Sequence, residues 1–466
     1  MATPDAPLEE ALQAAGQEHV LEALRSLPSD RAQALRAQLE ELDLAAVQRL
    51  RAVLVAGSEA APPAFAPPEL FPLERDAAQE SRASEAIARG EELLASGKVG
   101  FLLVAGGQGS RLGFEGPKGL YPVGPVTGAP LFAWHAARIH AARERAGAML
   151  HWFVMTSRTN DEATRAWFTE QDHLGLGADT VHFFVQSMLP ALDADGRMIF
   201  SAPGELFLAP NGHGGTLEAL ARSGMLERAG EAGIEHFSYF QVDNPLVRPA
   251  DPLFLGLHAL EGAEMSSKVV AKRDADEKVG VLGLADGRLG CIEYSDLPAD
   301  LRTRTDADGQ LTYRAGNIAV HAIRRDFIER LTAGGELELP WHLARKRMKA
   351  VDPVSGEPCE VDGVKFETFV FDALAATTSS VVLEVDRALE FSPVKNAEGS
   401  DSPATCRQAM TGMFAAWMTA AGHRLPDAGG DGTLPIEVDP RVAEDAAQFK
   451  ATACSPRQEA SGVLYR

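Results

Sequence analysis

The stretch FLLVAGGQGSRLGFEGPK, residues 101–118, places two cations beside a glycine-rich turn. A short apolar run, typical of a buried strand, precedes the glycines, and Arg111 and Lys118 follow them. Backbone N–H groups of such a turn can hold an anion, and an arginine can bind phosphate oxygens through two parallel hydrogen bonds. Pro117 would stiffen the segment that presents Lys118. The pattern indicates a site for a polyphosphate whose charge changes during a reaction.

Other classes of glycine loop fit these residues less well. A dinucleotide fingerprint, G-x-G-x-x-G, would need glycine at Leu112 and an acid at the end of the next strand, which reads VMTS. A nicotinamide oxidoreductase is therefore a weak alternative. A Walker A loop needs lysine between glycine and serine or threonine, whereas Lys118 follows Pro117. A tight strand-to-helix corner with incidental charges stays open at this point.

A carboxylate stands at the end of another apolar run. Asp243 follows HFSYFQV, residues 236–242. Ligands of open α/β sheets gather at the carboxyl ends of the strands, and Mg²⁺ prefers oxygen ligands while it bridges phosphates. Asp243 is therefore a candidate metal ligand. The alternative is that the Asp-Asn-Pro sequence caps a turn or a helix.

The composition excludes several classes of function. The chain has 466 residues, with 44 basic and 66 acidic side chains and a net charge of −22. An acidic surface repels nucleic acid and anionic lipid, so neither is an expected partner. The start, MATPDAPLEEALQ, lacks the features of a secretory signal, and scattered cysteines favour free thiols in a reducing cytoplasm. The cysteines are Cys291, Cys359, Cys406 and Cys454.

Apolar runs alternate with helical patterns between residues 98 and 390. Crossover helices are predicted over TRAWFTEQ and LEALARSGMLERA, and the alternation predicts a doubly wound, mostly parallel α/β sheet. The sequence VGVLGLADGRLGCIEYSDL differs, because two short strands around Asp286-Gly287 predict a hairpin insertion. The predicted strands span residues 99–105, 149–157, 181–186, 236–242 and 266–272.

Three regions are predicted along the chain. The first is an N-terminal helical segment with a proline-rich connector, the second is the α/β domain, and the third is a small C-terminal domain. Their predicted bounds are 1–80, 81–390 and 391–466. In the first region Ser29 is expected to cap a helix that buries Leu35, Leu39 and Leu42. Further helices are expected near 82–96 and 403–421.

Many ordered motifs resemble the eukaryotic-type UDP-N-acetylglucosamine pyrophosphorylases, within the wider UDP-sugar pyrophosphorylase (uridylyltransferase) family. The signature loop is LVAGGQGSRLGFEGPKGLYPVG, and the match continues through FFVQSMLPALDADGRMI, APNGHGGTLEAL, FQVDNPLV, VGVLGLADGRLGCIEYSDL, AGNIAVH, FETFVFDAL and EFSPVKNAE. The resemblance covers residues 84 to 420. It implies a Rossmann-like nucleotidyltransferase sheet.

The resemblance also implies an activity. Enzymes of this family make a UDP-sugar and pyrophosphate from UTP and a sugar 1-phosphate, here expected to be N-acetylglucosamine 1-phosphate, with Mg²⁺ (Mn²⁺ possible) as cofactor. One alternative is the same reaction with glucose 1-phosphate. An alternative of a different class is a non-catalytic protein that binds sugar nucleotides; such a protein would be expected to lack one of the two loop cations or the metal carboxylate.

The family resemblance assigns roles to individual residues. Those for UTP are Gly106, Gly107, Gln186, Gly214 and Gly215, and the catalytic cations are Arg111, Lys118 and Lys395. Asp243 would hold the metal, and the sugar would contact His213, Glu293, Asn317, Phe369 and Phe371. From the residues alone, Gln186 could equally cap a strand end, the glycines could belong to an ordinary loop, and Lys395 could be solvated. Phe369 and Phe371 are expected on one face of a strand, where core packing is an equally good interpretation.

One motif departs from the family pattern. The N-acetylglucosamine enzymes usually carry asparagine where NGHGG has His213, and relatives that act on glucose 1-phosphate have Gly-His-Gly there. Asn211 also replaces a usual acid. The departure bears on the choice of sugar and leaves the use of UTP untouched.

Overall fold

The structure is a computed structural model, and it describes residues 6–56, 63–294, 296–334, 337–425, 434–452, 454–459 and 461–466. Residues 1–5 of the N-terminal segment and Pro62 of the predicted connector lie outside the described residues. The chain folds as two compact units. The first comprises Met1–Pro62, Gln186–Glu218 and Leu337–Asp372, and the second comprises Pro63–Val185, Ala219–Glu336 and Ala373–Arg466. The predicted boundaries at residues 80 and 390 stay a prediction.

The α-helices of the described chain vary from one turn to five turns in length. In chain order they are α1 (Ala6–Ala14), α2 (Glu18–Ser26), α3 (Ser29–Glu41), α4 (Leu44–Ala56), α5 (Ala77–Ala95), α6 (Leu131–Ala146), α7 (Asp161–Glu170), α8 (Gly215–Arg222), α9 (Met225–Glu231), α10 (Pro252–Leu260), α11 (Ala299–Arg302), α12 (Arg325–Thr332), α13 (Arg387–Glu390), α14 (Pro403–Ala420) and α15 (Ala446–Ala451). Within the described residues, no helix has both the length and the apolar character needed to cross a lipid bilayer.

The β-strands include several very short ones. They are β1 (Phe65–Ala66), β2 (Val99–Val104), β3 (Trp152–Thr156), β4 (Val181–Val185), β5 (Met188–Pro190), β6 (Leu192–Asp193), β7 (Phe200–Ala202), β8 (Glu205–Leu206), β9 (Leu208–Pro210), β10 (His236–Gln241), β11 (Met265–Ala271), β12 (Val281–Ala285), β13 (Arg288–Ile292), β14 (Ala315–Arg324), β15 (His342–Val351), β16 (Pro358–Glu367), β17 (Val382–Glu384), β18 (Ile436–Val438), β19 (Arg457–Glu459) and β20 (Gly462–Tyr465).

A large mixed sheet forms the centre of the second unit. Its strand order is β1-β12-β14-β10-β2-β3-β4, with β11, β13 and β17 paired off this path. Strands β10, β2, β3 and β4 run parallel, as the buried apolar runs predicted, and β14 is antiparallel to β10 and β11. The prediction of a doubly wound, mostly parallel α/β fold is confirmed, and each of the five predicted strands is present.

The hairpin insertion is also confirmed. Strands β12 and β13 pair antiparallel from Ala285↔Arg288 to Val281↔Ile292. The two turn residues, Asp286 and Gly287, have φ of 49° and 79°. Positive φ at both positions is the geometry of a type I′ turn, which aspartate and glycine tolerate and which matches the twist of paired strands.

Helices α5 and α10 pack closely in the second unit because each presents a glycine. A Cβ on Gly90 would lie 2.0 Å from the Pro252 carbonyl oxygen, and one on Gly256 would lie 1.7 Å from that of Ala86. Helix α5 begins at Ala77, earlier than predicted, because the Asp76 side chain accepts a hydrogen bond from the Gln79 N–H in a capping box. The α5–α10 contact positions the chain that follows β10.

The first unit shows what the N-terminal helices pack against. Its core contains Leu12, Leu35 and Leu50 from the helices together with Phe200 and Phe366 from the strands. Two glutamine side chains extend this packing with paired hydrogen bonds. Gln17 donates to the Gly196 oxygen at 2.8 Å and accepts from the Met198 N–H at 2.8 Å. Gln38 bonds in the same way to the Gly204 oxygen and the Leu206 N–H, at 3.0 Å each.

The predicted cap at Ser29 is wrong. Pro28 occupies the N-cap position with ψ of 150°, and Ser29 is the first residue of α3. Because Pro28 lies in extended backbone immediately before the helix, the chain turns one residue earlier than predicted. Leu35 and Leu39 are buried, as expected for the apolar face of the helix.

The C-terminal residues belong to the second unit. Helix α14 starts at a capping box formed by Ser402 and Thr405, close to the predicted start. Strands β18, β20 and β19 form a small sheet, and Tyr465 is buried against Phe449 with 5.0 Å between ring centroids. This helix and sheet lie in the region predicted as a small C-terminal domain, and the existence of a separate domain there stays a prediction.

Candidate active site

The glycine loop folds back on itself directly after β2. The Lys118 N–H donates to the Gly107 oxygen at 3.0 Å, and the Gly109 N–H donates to the Gly116 oxygen at 2.9 Å. A Cβ on Gly109 would lie 2.7 Å from the Phe114 ring, so only glycine fits at this position. The second half of the loop runs back toward the sheet and brings Lys118 beside the end of β2, where Gly106 and Gly107 leave the sheet.

Lys118 and Asp243 form an ion pair. Lys118 Nζ lies 3.0 Å from Asp243 Oδ2, and the two side chains are 16% and 12% exposed. The topology explains this pairing: β10 runs parallel to β2 with Gln241 opposite Val104, so both chains leave the sheet at the same edge. The sequence predicted both residues, and the structure brings them together.

A small cavity lies beside this ion pair. It has a volume of about 40 Å³. Its polar lining comes from Gln241, Asp243, Asn244, Asn317 and Lys395. The Lys395 side chain is exposed, and its ammonium lies 5.7 Å from the centroid of the Phe391 ring. Two predicted cations, the predicted metal carboxylate and one predicted sugar-binding amide therefore lie at one edge of the sheet.

Asn317 is held by a distortion of β14. The pairing of β14 with β11 shifts between Lys268 and Val269, so that Ile318 and Ala319 bulge out of the ladder. Ala319 has φ of 55°, a strained conformation for alanine, and its N–H donates to Asn317 Oδ1 at 2.9 Å. The bulge turns the strand where it lines the cavity and fixes the orientation of the Asn317 amide.

Gly280 links Asn317 to the hairpin that carries Glu293. The Asn317 N–H donates to the Gly280 oxygen at 2.9 Å. A Cβ on Gly280 would lie 2.7 Å from Cys291 Sγ and 3.5 Å from Glu293 Oε1. Asn317 Nδ2 also donates to Cys291 Sγ at 3.7 Å. The two predicted sugar-binding residues, Glu293 and Asn317, are therefore neighbours across a glycine.

Arg111 is not drawn into this cluster. It lies in a short 3₁₀ turn, Ser110–Leu112, and its side chain is exposed. Within the described part of the chain Arg111 forms no ion pair. Its predicted role at the phosphates stays a prediction.

The metal expected from the family resemblance would find one protein carboxylate here. Across the described residues, no group of three or more histidine, cysteine, aspartate or glutamate side chains could hold a metal by itself. Mg²⁺ commonly binds through one or two carboxylates and takes its other ligands from substrate phosphates and water. The Asp243 carboxylate at the edge of the sheet fits such a metal and does not fit an ion enclosed by protein ligands alone.

In the first unit, Gln186 is bound through its amide nitrogen. Gln186 Nε2 donates to Asn211 Oδ1 at 3.1 Å and to the Gly212 oxygen at 2.5 Å. Asn211 in turn donates from Nδ2 to Glu218 Oε2 at 3.0 Å. The Asn211 side chain therefore accepts from Gln186 and donates to Glu218. An ionised aspartate at this position could accept but could not donate.

Packing within the protein requires glycine at positions 214 and 215. A Cβ on Gly214 would lie 2.7 Å from the Thr368 carbonyl carbon, and one on Gly215 would lie 2.0 Å from Asn211 Oδ1. The Gly214 N–H also donates to the Thr368 oxygen at 2.8 Å. Close packing inside the first unit explains both glycines, and their predicted contact with UTP stays a prediction.

His213 lies among aromatic rings. Its ring stacks on Phe369 with 5.2 Å between centroids and an interplanar angle of 22°, and it meets Phe371 edge-on at 5.5 Å. The expectation that Phe369 and Phe371 share one face of a strand is wrong, because β16 ends at Glu367. Asp372 turns the chain there, accepting from the Phe369 N–H at Oδ2 (3.3 Å) and donating its own N–H to the Phe369 oxygen (3.0 Å).

The protonation state of His213 follows from these contacts. Burial, with a smaller contribution from His342, lowers the pKa of His213 to about 4, so the ring is neutral at neutral pH. The Val370 N–H donates to His213 Nδ1 at 3.3 Å, which makes Nδ1 an acceptor and places the ring proton on Nε2. His213 is therefore a neutral imidazole at neutral pH.

Asn160 holds the glycine loop and was missed from the sequence. Asn160 Nδ2 donates to the Ala105 oxygen at 2.9 Å and to the Gly107 oxygen at 3.2 Å. Its Oδ1 accepts from the Ser157 N–H at 2.8 Å. Asn160 occupies the N-cap position of α7 but its side chain makes no capping bond there, so no local sequence pattern indicated its contact with the loop. By binding these two carbonyls it fixes the loop backbone on either side of Gly106.

Comparison with known proteins identifies the family. A family model described as UTP–glucose-1-phosphate uridylyltransferase matches residues 70–411. The chain belongs to this family. Its glycine loop, its Lys118–Asp243 pair and its hairpin all lie within the matched region, and the predicted relationship to UDP-sugar pyrophosphorylases is confirmed.

The relatives of this chain within the family align with most of its length. The mouse UDP-N-acetylhexosamine pyrophosphorylase-like protein 1 is 35% identical over 93% of this chain and 90% of its own length. The Saccharomyces cerevisiae UDP-N-acetylglucosamine pyrophosphorylase is 36% identical over 78% of each chain. The crystal structure of the Trypanosoma brucei uridine diphosphate N-acetylglucosamine pyrophosphorylase superimposes with a TM-score of 0.80 at 27% identity, covering 97% of this chain and 95% of that one.

Proposed function

We propose that this protein transfers the uridylyl group of UTP to N-acetylglucosamine 1-phosphate. An oxygen of the sugar phosphate attacks the α-phosphorus of UTP in line. The bond from that phosphorus to the bridging oxygen of the β-phosphate breaks, pyrophosphate leaves, and a UDP-sugar remains. The observation that carries the proposal is the Lys118–Asp243 pair beside the glycine loop, in a chain that belongs to this uridylyltransferase family.

The reaction needs charge stabilisation more than it needs a nucleophilic side chain. The attacking phosphate is already anionic, so catalysis consists of positioning two like-charged reactants and stabilising the departing pyrophosphate. Lys118 and Lys395 supply cations at the edge of the sheet, and the glycine loop supplies backbone N–H groups. Arg111 is proposed to close on the phosphates from its exposed turn when UTP binds.

Mg²⁺ is the proposed cofactor, with Mn²⁺ as a possible substitute. Asp243 would hold it. A metal ion held there would offset the negative charge of the phosphates. Asp243 is paired with Lys118 in the structure, so a metal ion on Asp243 would replace the ammonium there and release Lys118 toward the phosphates.

The choice of sugar has two candidates. The names of the yeast and Trypanosoma brucei proteins support N-acetylglucosamine 1-phosphate. Glucose 1-phosphate is the second candidate, because His213 gives the Gly-His-Gly sequence that the resemblance associates with relatives acting on glucose 1-phosphate. Gln186 is proposed to read the uracil edge through Oε1, since its amide nitrogen is bound to the protein.

A pyrophosphate-release assay tests the proposed function. The protein would be given UTP and Mg²⁺ with each of several sugar 1-phosphates, and the Asp243→Ala variant serves as control. We expect release that depends on UTP and is fastest with N-acetylglucosamine 1-phosphate. Faster release with glucose 1-phosphate would change the sugar and keep the reaction. Binding of UDP-sugar without release from any substrate would leave a sugar-nucleotide-binding protein and overturn the proposal.

The proposed compartment is the cytoplasm. The four cysteines are free thiols in the structure, and Cys406 is fully buried. Free thiols are usual where the environment is reducing. Fractionation of the cells that make this protein, followed by immunoblotting, would check this assignment.

A further inference from the structure

Lys268 is a buried cation that the proposed reaction does not use. It lies on β11 and its side chain is completely buried. Its Nζ lies 2.6 Å from Asp251 Oδ2 and 2.6 Å from Glu390 Oε2, and both carboxylates are almost fully buried as well. The ammonium also lies 5.6 Å from the centroid of the Phe254 ring. A charge buried this deeply needs paired partners, and here it has two from different parts of the chain.

The two partners of Lys268 lie on the two segments that carry the candidate phosphate site. Asp251 ends the loop that begins at Asp243 and caps α10 by accepting from the Leu253 N–H at 3.1 Å. Glu390 ends α13 and stands five residues before Lys395. Lys268 therefore links the segment that follows Asp243 to the segment that carries Lys395.

Further hydrogen bonds carry this connection to the site itself. Asn244 Nδ2 donates to the Glu390 oxygen at 2.7 Å, and Asn244 Oδ1 accepts from the Ser392 N–H at 3.1 Å. The Val394 N–H then donates to the Asp243 oxygen at 2.9 Å. From Glu390 to Val394 the C-terminal segment is thus bound along the Asp243-Asn244 dipeptide, one residue short of Lys395.

We propose that Lys268 is a positioning residue of the active site. By binding Asp251 and Glu390 together, it fixes where Lys395 stands relative to Asp243 at the cavity that both side chains line. The inference rests on the proposed function, because it takes Lys395 to act on the phosphates. A displacement of about 1 Å in such a group can cost up to about 10²-fold in rate.

A double-mutant cycle between Lys268→Met and Lys395→Ala tests the proposal. Pyrophosphate release by the unchanged protein is measured first, so that absence of any turnover reports on the proposed function alone. In the otherwise unchanged protein we expect Lys268→Met to lower kcat by about 10- to 100-fold. In the Lys395→Ala background we expect a further loss below about threefold, because the residue that Lys268 positions is already gone.

Equal losses from Lys268→Met in both backgrounds would overturn the positioning role, and so would a Lys395→Ala variant with normal kcat.

If Lys268→Met does not fold, Glu390→Gln takes its place in the cycle, since it keeps an acceptor for Lys268 and removes one charge. Arg143→Met is the control. Arg143 donates to the backbone oxygens of Leu150 and Leu176, which lie outside the two segments. The Arg143→Met replacement should therefore lower the melting temperature and leave kcat of the folded protein unchanged.

Discussion

The ammonium of Lys118 and the carboxylate of Asp243 lie 3.0 Å apart although 125 residues separate them in the chain. The parallel register of β10 and β2 produces this contact: the Val242 N–H donates to the Val104 oxygen at 3.0 Å, so the two chains leave the sheet side by side. An acidic protein thereby places a cation and the carboxylate proposed to hold the metal at one point. The pair leaves each charge with a partner of opposite sign at the edge of the sheet.

Removal of the Asp243 charge should reveal the metal requirement. We expect Asp243→Asn to lower kcat by at least about 10²-fold and to raise the Mg²⁺ concentration needed for half-maximal rate, because the amide is a poor ligand and leaves Lys118 without its partner. Initial rates over a Mg²⁺ titration would check this. Glu235→Gln is a matched control, since Glu235 forms an exposed ion pair with Lys98 at 2.8 Å. A variant with an unchanged Mg²⁺ profile would remove Asp243 from the metal site.

The hydrogen bonds from Asn160 should be needed for UTP binding. Loss of two bonds of about 0.5–1.5 kcal/mol each would release the carbonyls of Ala105 and Gly107 and raise the KM for UTP by about tenfold. Asn160→Ala and Asn160→Asp should both show the effect. The aspartate side chain would keep the acceptor for the Ser157 N–H and lose only the donors, so a normal KM for UTP in the Asn160→Asp variant would refute a role for the donated bonds.

The sequence predicted those parts of the fold that depend on local pattern. Continuous apolar runs located β2, β3, β4, β10 and β11, and Asp286-Gly287 located the hairpin. The expectation failed for Phe369 and Phe371, because alternation of two aromatic residues cannot show that the strand ends at Glu367. The bonds made by Asn160 were equally out of reach, since they depend on which carbonyls the folded loop turns toward it.

Acid should destabilise the fold through buried histidines. Burial lowers the pKa of His135 to about 4, against the ordinary 6.5, although a bond with the Val242 oxygen partly opposes this. Burial also lowers the pKa of His236 to about 4. The unfolded chain therefore binds protons that the folded protein excludes, and stability that is complete above pH 6.5 is lost as the pH falls toward 4.

Urea unfolding over this pH range would measure the effect. Each such histidine contributes a slope of at most about 1.36 kcal/mol per pH unit. His135→Gln can retain a donor for the Val242 oxygen and cannot titrate, so its free energy of unfolding should fall less steeply on acidification than that of the unchanged protein. Parallel curves for the two proteins would show that the pKa of His135 is the same in the folded and unfolded states and would refute the prediction.

His213 should influence the choice of sugar. Its ring stacks on Phe369, and replacement by asparagine would shorten the side chain and open space beside that ring. We expect His213→Asn to shift the ratio of kcat/KM for N-acetylglucosamine 1-phosphate over glucose 1-phosphate upward by about tenfold. The KM for UTP should stay the same. An unchanged ratio would place the determinant of sugar choice elsewhere.

The most direct measurement of the central claim is the single-turnover rate of uridylyl transfer in the Lys118→Ala variant, with saturating UTP, Mg²⁺ and sugar 1-phosphate. Lys98→Ala, which removes an exposed lysine from the same unit, is the control. If fixed cations at the glycine loop allow the two anionic reactants to meet, Lys118→Ala should lower this rate by about 10²–10³-fold, with circular dichroism and melting temperature close to those of the control. A rate within about twofold of the control in the folded variant would contradict the account.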